Sequence, residues 1–194
     1  MEKEYFLNLD KYKQIIKEKM CEKRYRHSVS VSEWAVKLAL KHGANEKKAA
    51  IAGILHDITK EMPEEEQLKL ISDSGIKLSL LEKKSIKLLH SISGAIYVRE
   101  ALKIDDEEII NAIKYHTTAR ENMTLLEKII FIADFLSDDR KWENTDYFRQ
   151  LALEDLDEAL IYGLKLTIEG LLKGNKLIAE NTFKAYNYVI LKSE

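Results

Sequence analysis

A lone cysteine, Cys21, has no partner within the chain, so no intramolecular disulfide can staple this fold. It fits a reducing compartment, and a small soft side chain of this kind is ordinary core material. Proline occurs once and glycine seven times in 194 residues. An all-β chain needs a turn roughly every ten residues, and these breakers are too few for one. No apolar run approaches the ~20 residues of a membrane span. The start, Met1-Glu2-Lys3-Glu4-Tyr5, is charged and lacks the apolar segment of a secretion signal. A cytoplasmic protein with no membrane partner is the expectation. Neither sign of charge dominates: 31 basic and 33 acidic residues give a formal net charge of -2. No basic face large enough for a duplex stands out, so nucleic acid is not the expected partner.

What is abundant is helical: Leu, Ile, Ala, Glu and Lys. The length suits one domain with a real core. The pattern predicts an all-α chain with no strand, repeat or linker. Apolar spacing marks a helix from Asn8 to Met20, then one through Val31, Trp34, Ala35, Leu38 and Ala39 that stops at His42-Gly43. His42 sits where a cation suits the helix dipole and reads as structural. Asn45 caps a third helix, Glu46 to about Ile58, apolar on nearly every turn and therefore buried. Pro63 and the acids behind it start a fourth, ended by Ser74-Gly75. A short helix follows around Leu80 to Leu88, and His90 opens the next, through Leu102. Asp105 caps Asp106 to Tyr115, and Thr124 caps Leu125 to Leu136. Two amphipathic helices, over 144–172 and 175–191, complete the chain.

The third helix runs into Leu55-His56-Asp57. Adjacent helix residues project about 100° apart, so this imidazole and carboxylate share a target only near the helix end. A metal ion is the simplest object needing both at one point. Leaving His42 aside, His27, His56, His90 and His116 all fall at or near predicted helix ends, and Asp134 lies near the end of its helix. Mixed imidazole and carboxylate ligation without thiolate suits iron or manganese better than a structural zinc.

The words Arg26-His27, Leu55-His56-Asp57, His90-Ser91-Ile92-Ser93-Gly94, Tyr115-His116-Thr117 and Ile132-Ala133-Asp134 resemble the HD-domain superfamily of metal-dependent phosphohydrolases. More narrowly they are similar to the YqeK-like family of symmetrical diadenosine tetraphosphate hydrolases, over about Tyr12 to Tyr188. That resemblance implies one HD-domain helical bundle over residues 1–194, its core about 22–140 and a C-terminal helical extension about 144–191. It implies His27, His56, Asp57 and Asp134 as ligands of a divalent transition metal, iron before manganese. Asp57, His90 and His116 would be catalytic. His27, His90, His116, Asp134, Arg140 and Thr182 would meet substrate, with a second metal on His90 and His116 as the variant of other HD enzymes.

The implied reaction is cleavage of diadenosine tetraphosphate to two ADP by a metal-activated water. The alternatives are another nucleotide substrate (a deoxynucleoside triphosphate, a nucleoside monophosphate or a guanosine alarmone) or a non-catalytic nucleotide-binding module. A homodimer is left open. Asn181 stands where the family tends to carry Pro, within the closing segment Asn181 to Asn187. Lys60 and Arg26 read as solvated bases, and Tyr25, Tyr115, Phe183 and Tyr186 as core aromatics before base platforms.

Overall fold

A computed structural model describes residues 2–140 and 143–193, with side chains described from Leu9 onward. Eleven helices and no strand occur among the described residues. They are α1 (Glu2–Lys19), α2 (Glu22–His42), α3 (Glu46–Leu55), α4 (Glu64–Asp73), α5 (Leu80–Lys84), α6 (Ile86–Glu100), α7 (Glu107–Tyr115), α8 (Leu125–Leu136), α9 (Thr145–Glu154), α10 (Leu156–Lys173) and α11 (Glu180–Ser193). No helix among them is long and apolar enough to cross a membrane.

Several helix ends follow the local chemistry. Gly43 terminates α2 in the left-handed region, φ 76°, where a Cβ is penalised. Thr124 and Glu127 form a reciprocal capping box at the start of α8. α1 begins at Glu2 rather than Asn8 and α11 at Glu180 rather than residue 175, and four further boundaries differ from the sequence expectation. First, α3 stops at Leu55, and residues 56–62 form consecutive turns that release His56 and Asp57 from the helix. Second, Ser85 breaks the chain at φ -114° and ψ 69°, so α6 begins at Ile86 and His90 lies inside it. Third, the N-cap of α7 is Asp106, whose carboxylate accepts from the backbone of Glu108 and Ile109. Fourth, the segment expected as one helix over 144–172 is two. Asp155 is extended (φ -143°, ψ 109°) and its carboxylate caps α10 through the N–H groups of Asp157 and Glu158. A short acidic side chain that satisfies two orphan N–H groups stabilises a new helix start there.

The main core is built by α2, α3, α7, α8, α9 and α10, with Leu38, Ile54, Leu55, Ile113, Ile129, Ile130, Phe131, Ile132 and Phe148 fully buried. A smaller apolar cluster, Ile71, Leu89, Ile92 and Ile96, seals α4 against α6. At the α2–α3 crossing the residues are small: Ser28, Ala35, Ala49, Ala52 and Gly53 are all buried. Small residues let these two backbones approach closely, and Ser32 Oγ donates to the Ala50 carbonyl across the crossing at 2.9 Å. This contact fixes the separation of the two helices that carry His27 and His56.

Candidate metal centre

His27 is the residue on α2 that faces α8 and the segment behind it. Its Nδ1 donates to Asp139 Oδ1 at 2.8 Å, and Ser137 Oγ lies 3.1 Å from the same nitrogen. The ring is thereby turned so that Nε2 points inward, 3.0 Å from Asp134 Oδ1. His56 and His116 share one local device. Each is the C-cap of its helix with αR backbone, and each folds its Nδ1–H back on the carbonyl three residues earlier, Gly53 and Ile113 respectively, at 2.7 Å. Both therefore present Nε2 to the interior. A C-terminal carbonyl without an intrahelical partner is what such a histidine satisfies.

Asp57 is buried beside them, with Oδ2 held by Arg24 Nη1 at 2.8 Å. Its Oδ1 faces His90 Nε2 at 3.1 Å and His116 Nε2 at 3.5 Å. His90 Nε2 is also 2.9 Å from Lys60 Nζ and 3.2 Å from His116 Nε2. The imidazoles run edge to face through the cavity: centroids are 5.4 Å apart for His27–His56, 4.9 Å for His56–His116 and 5.1 Å for His90–His116.

Three of the inward atoms, His27 Nε2, His56 Nε2 and Asp57 Oδ1, are buried without a properly directed hydrogen bond. Leaving such atoms unmatched in a protein interior is costly, and native structures seldom tolerate it without a ligand. Hydrogen bonding of Nδ1 to Asp139 makes the inward face of His27 a lone pair, directed at a carboxylate oxygen. Two acceptors face to face need positive charge between them, supplied by a proton on the imidazole or by a metal ion. Candidate ligand atoms converge within 4.8 Å in two groups that share His56: His27, His56 and Asp134, and His56, Asp57 and His116. The donor set fits a divalent transition ion.

Electrostatics agree. Burial alone raises Asp57 and Asp134, but the surrounding imidazoles, led by His56 for Asp57 and by His27 for Asp134, hold both carboxyls well below their usual range. Burial alone lowers His27, yet Asp134 and Asp139 outweigh it and raise its pKa. His90, deeper and opposed by His116 and Lys60, is pushed down to about 4, chiefly by burial. The centre is thus ionised carboxylates demanding positive charge, next to an imidazole that resists a proton.

The structure brings together His27, His56, Asp57, His90, His116 and Asp134, but two of them do not sit at helix ends. His27 lies in the second turn of α2 and His90 in the second turn of α6. Arg140 is anchored on Asp134, Nη2 to Oδ1 at 3.0 Å. Thr182 stands apart from the expectation of a substrate contact: it is buried and its hydroxyl donates to the Thr118 carbonyl at 2.8 Å, tying α11 to the loop after His116. His42 bonds the Ala152 carbonyl at 2.7 Å, joining α2 to α9. Arg26 is exposed and paired with Glu22, a solvated base. Lys60 is not one: its side chain is one-third exposed (32%), and burial lowers its pKa. Of the aromatics, Tyr25, Tyr115 and Tyr186 are half-buried, whereas Phe183 is exposed and not core.

Two residues escaped sequence reasoning, Arg24 and Asp139. The signal for Asp139 was its place in the word Asp139-Arg140; Arg24 had only the basic run Lys23 to His27. Asp139 gives His27 the carboxylate–imidazole support common at metal sites. Asp139→Asn is expected to weaken metal binding about 10- to 100-fold with the fold intact. Titration of the purified variant with Mn²⁺, beside its circular dichroism spectrum, checks this.

A profile of the HD domain family matches residues 24–139, a span that contains the four histidines and two aspartates brought together at the centre. This chain belongs to the HD domain family. A "Bis(5'-nucleosyl)-tetraphosphatase, symmetrical" of Bacillus subtilis is 39% identical over 175 residues, 90% of this HD-domain chain and 94% of that protein. The protein of the same description from Halalkalibacterium halodurans is 39% identical over 188 residues, 97% of this chain and 100% of that one. A crystal structure from Clostridium acetobutylicum, described as a predicted HD superfamily hydrolase involved in NAD metabolism, is 38% identical with a TM-score of 0.91, covering 94% of this chain and 97% of that one. The all-α fold is therefore that of the family.

Proposed function

We propose that this chain is a cytoplasmic, metal-dependent phosphohydrolase that cleaves diadenosine tetraphosphate symmetrically to two ADP. The observation that carries the reading is that His27 Nε2, His56 Nε2 and Asp57 Oδ1 are all buried without directed partners, in two ligand groups that share His56 and of which one includes Asp134. The relatives named for symmetrical bis(5'-nucleosyl) tetraphosphate cleavage supply the substrate class.

His27, His56, Asp57 and Asp134 would hold the ion, iron in preference to manganese. Such an ion polarises a phosphoryl oxygen and acidifies a coordinated water near neutral pH. The chain's own residues do the rest. Lys60 brings a cation to the His90 side of the centre, 2.9 Å from His90 Nε2. Arg140 gives one N–H to Asp134 and has further donors in its planar fork for phosphate oxygens. His90, neutral at physiological pH by burial, can donate a hydrogen bond to a phosphate oxygen without adding a second charge. His116, oriented through Ile113, turns Nε2 to the same space and, when that nitrogen is protonated, would hand the proton to the leaving phosphate. Thr182 acts on substrate only indirectly, by holding the backbone at Thr118.

The test is hydrolysis by protein loaded with Fe²⁺ or Mn²⁺, with products resolved by chromatography. Diadenosine tetraphosphate should give ADP alone, with no AMP and ATP pair. Turnover of a deoxynucleoside triphosphate, a nucleoside monophosphate or a guanosine alarmone with diadenosine tetraphosphate inert would overturn the substrate. Binding of nucleotide without turnover under either metal would make the chain a binding module.

A further inference from the structure

Asp57 has two oxygens, and they face different neighbours. Oδ1 faces His90 and His116, while Oδ2 is held by Arg24 Nη1 at 2.8 Å and lies 3.5 Å from His56 Nε2. Arg24 lies three residues before His27 on α2, so the two side chains share a helix face. One helix therefore delivers an imidazole to the centre and a guanidinium to a carboxylate that arrives on the turn after α3. Arg24 is largely buried (29% exposed), and its Nε is buried with no hydrogen-bond partner. A buried arginine left partly unsatisfied is held there by its remaining contact, the carboxylate of Asp57. The start of α2 is tied to the same turn again, where Cys21 N and Sγ donate to the Glu61 carboxylate at 2.7 and 3.0 Å.

We infer that Arg24 is a positioning residue for the metal centre: by binding Asp57 Oδ2 it fixes the carboxylate plane and keeps Oδ1, a buried oxygen without a directed partner, turned to His90 and His116. The inference rests on the metal reading proposed above. The carboxylate torsion of aspartate is broad and roughly two-fold, so nothing intrinsic to Asp57 selects which oxygen faces His90 and His116. A planar guanidinium selects one; an ammonium such as Lys60, 3.7 Å from Oδ1, supplies charge without fixing a plane. Orientation of a ligand by its hydrogen-bonded neighbour governs affinity for the ion, and its loss typically weakens metal binding or activity about 10- to 100-fold.

The experiment titrates Mn²⁺ into purified wild-type protein, Arg24→Met, Arg24→Lys, Glu61→Ala and Asp57→Asn, reading free ion by electron paramagnetic resonance. Arg24→Met should bind Mn²⁺ about 10- to 100-fold more weakly, with Arg24→Lys between it and wild type. At saturating Mn²⁺, Arg24→Met should recover most of its kcat. Glu61→Ala, which removes the other tie to this turn without touching Asp57, should bind as wild type. Mn²⁺ affinity within twofold of wild type in Arg24→Met overturns the inference. So does an equal loss in Glu61→Ala, since general anchoring of the turn would then explain both. If Arg24→Met does not fold, Arg24→Lys decides by the same twofold limit. Wild-type Mn²⁺ binding by Asp57→Asn would overturn the metal centre itself, whereas its loss beside normal binding by Arg24→Met overturns the role of Arg24 alone.

Discussion

Asp57→Asn is expected to abolish hydrolysis, lowering turnover by at least about 10³-fold, which is about 4 kcal/mol of barrier. The substitution keeps the shape of the side chain and removes its charge. An anionic oxygen is what a divalent ion needs there, and the amide offers a neutral oxygen or a repelling NH₂ group. The same change removes the charge partner of Arg24. The fold should persist, because Asp57 occupies the turn after α3 and its structural hydrogen bond is main-chain, its carbonyl accepting from Lys60 N–H at 2.8 Å. The check has three readings on one preparation: ADP release from diadenosine tetraphosphate, metal per chain by elemental analysis, and the far-ultraviolet circular dichroism spectrum. Full helicity with metal and activity both lost is the expected result. Normal turnover in a metal-replete variant would remove Asp57 from the centre.

Local chemistry made much of this molecule legible in its sequence. Gly43 and the Thr124–Glu127 box act within a few residues, and the ends they set are those observed. His116 was readable because the C-cap position that aims it is a local feature, whereas His56 was expected inside a helix that stops at Leu55. His27 and His90 were placed wrongly along their helices because no Gly or Pro marks Cys21 or Ser85, the residues from which those helices begin. The Asp155 break was missed for a related reason: its cap lies inside an unbroken amphipathic pattern, and only the two N–H groups it satisfies reveal it. Arg24 and Asp139 were beyond local reasoning altogether. Their partners lie 33 and 112 residues away in sequence, and a basic run or an Asp-Arg pair carries no trace of which member turns inward. Lys60 looked solvated because the histidine it meets arrives from a helix 30 residues on.

Gly53→Ala should be severe for a reason that joins fold to chemistry. In an exposed helix this change gains about 1 kcal/mol, because alanine has the higher helix propensity. Here a Cβ would stand 2.7 Å from Ser32 Cα, 3.1 Å from Ser32 N and 3.2 Å from the Val31 carbonyl oxygen. These are backbone atoms of α2, which cannot rotate aside as a side chain would. Either the two helices separate or the crossing shifts, and overpacking of this kind costs about 1–3 kcal/mol. The Ser32–Ala50 hydrogen bond resists separation, so the strain spreads along both helices. They carry His27 and His56, and the Gly53 carbonyl is itself the acceptor that aims the His56 ring. A displacement near 1 Å between catalytic groups costs about 10²-fold in rate. Urea unfolding of the purified variant should therefore show a loss of about 1–3 kcal/mol, and the fraction that remains folded should still turn over about 10²-fold more slowly. Stability equal to or above wild type would mean that α2 yields at Ser32 at little cost. Reduced stability with a normal rate per folded molecule would mean that the spacing of α2 and α3 does not set the geometry of the centre.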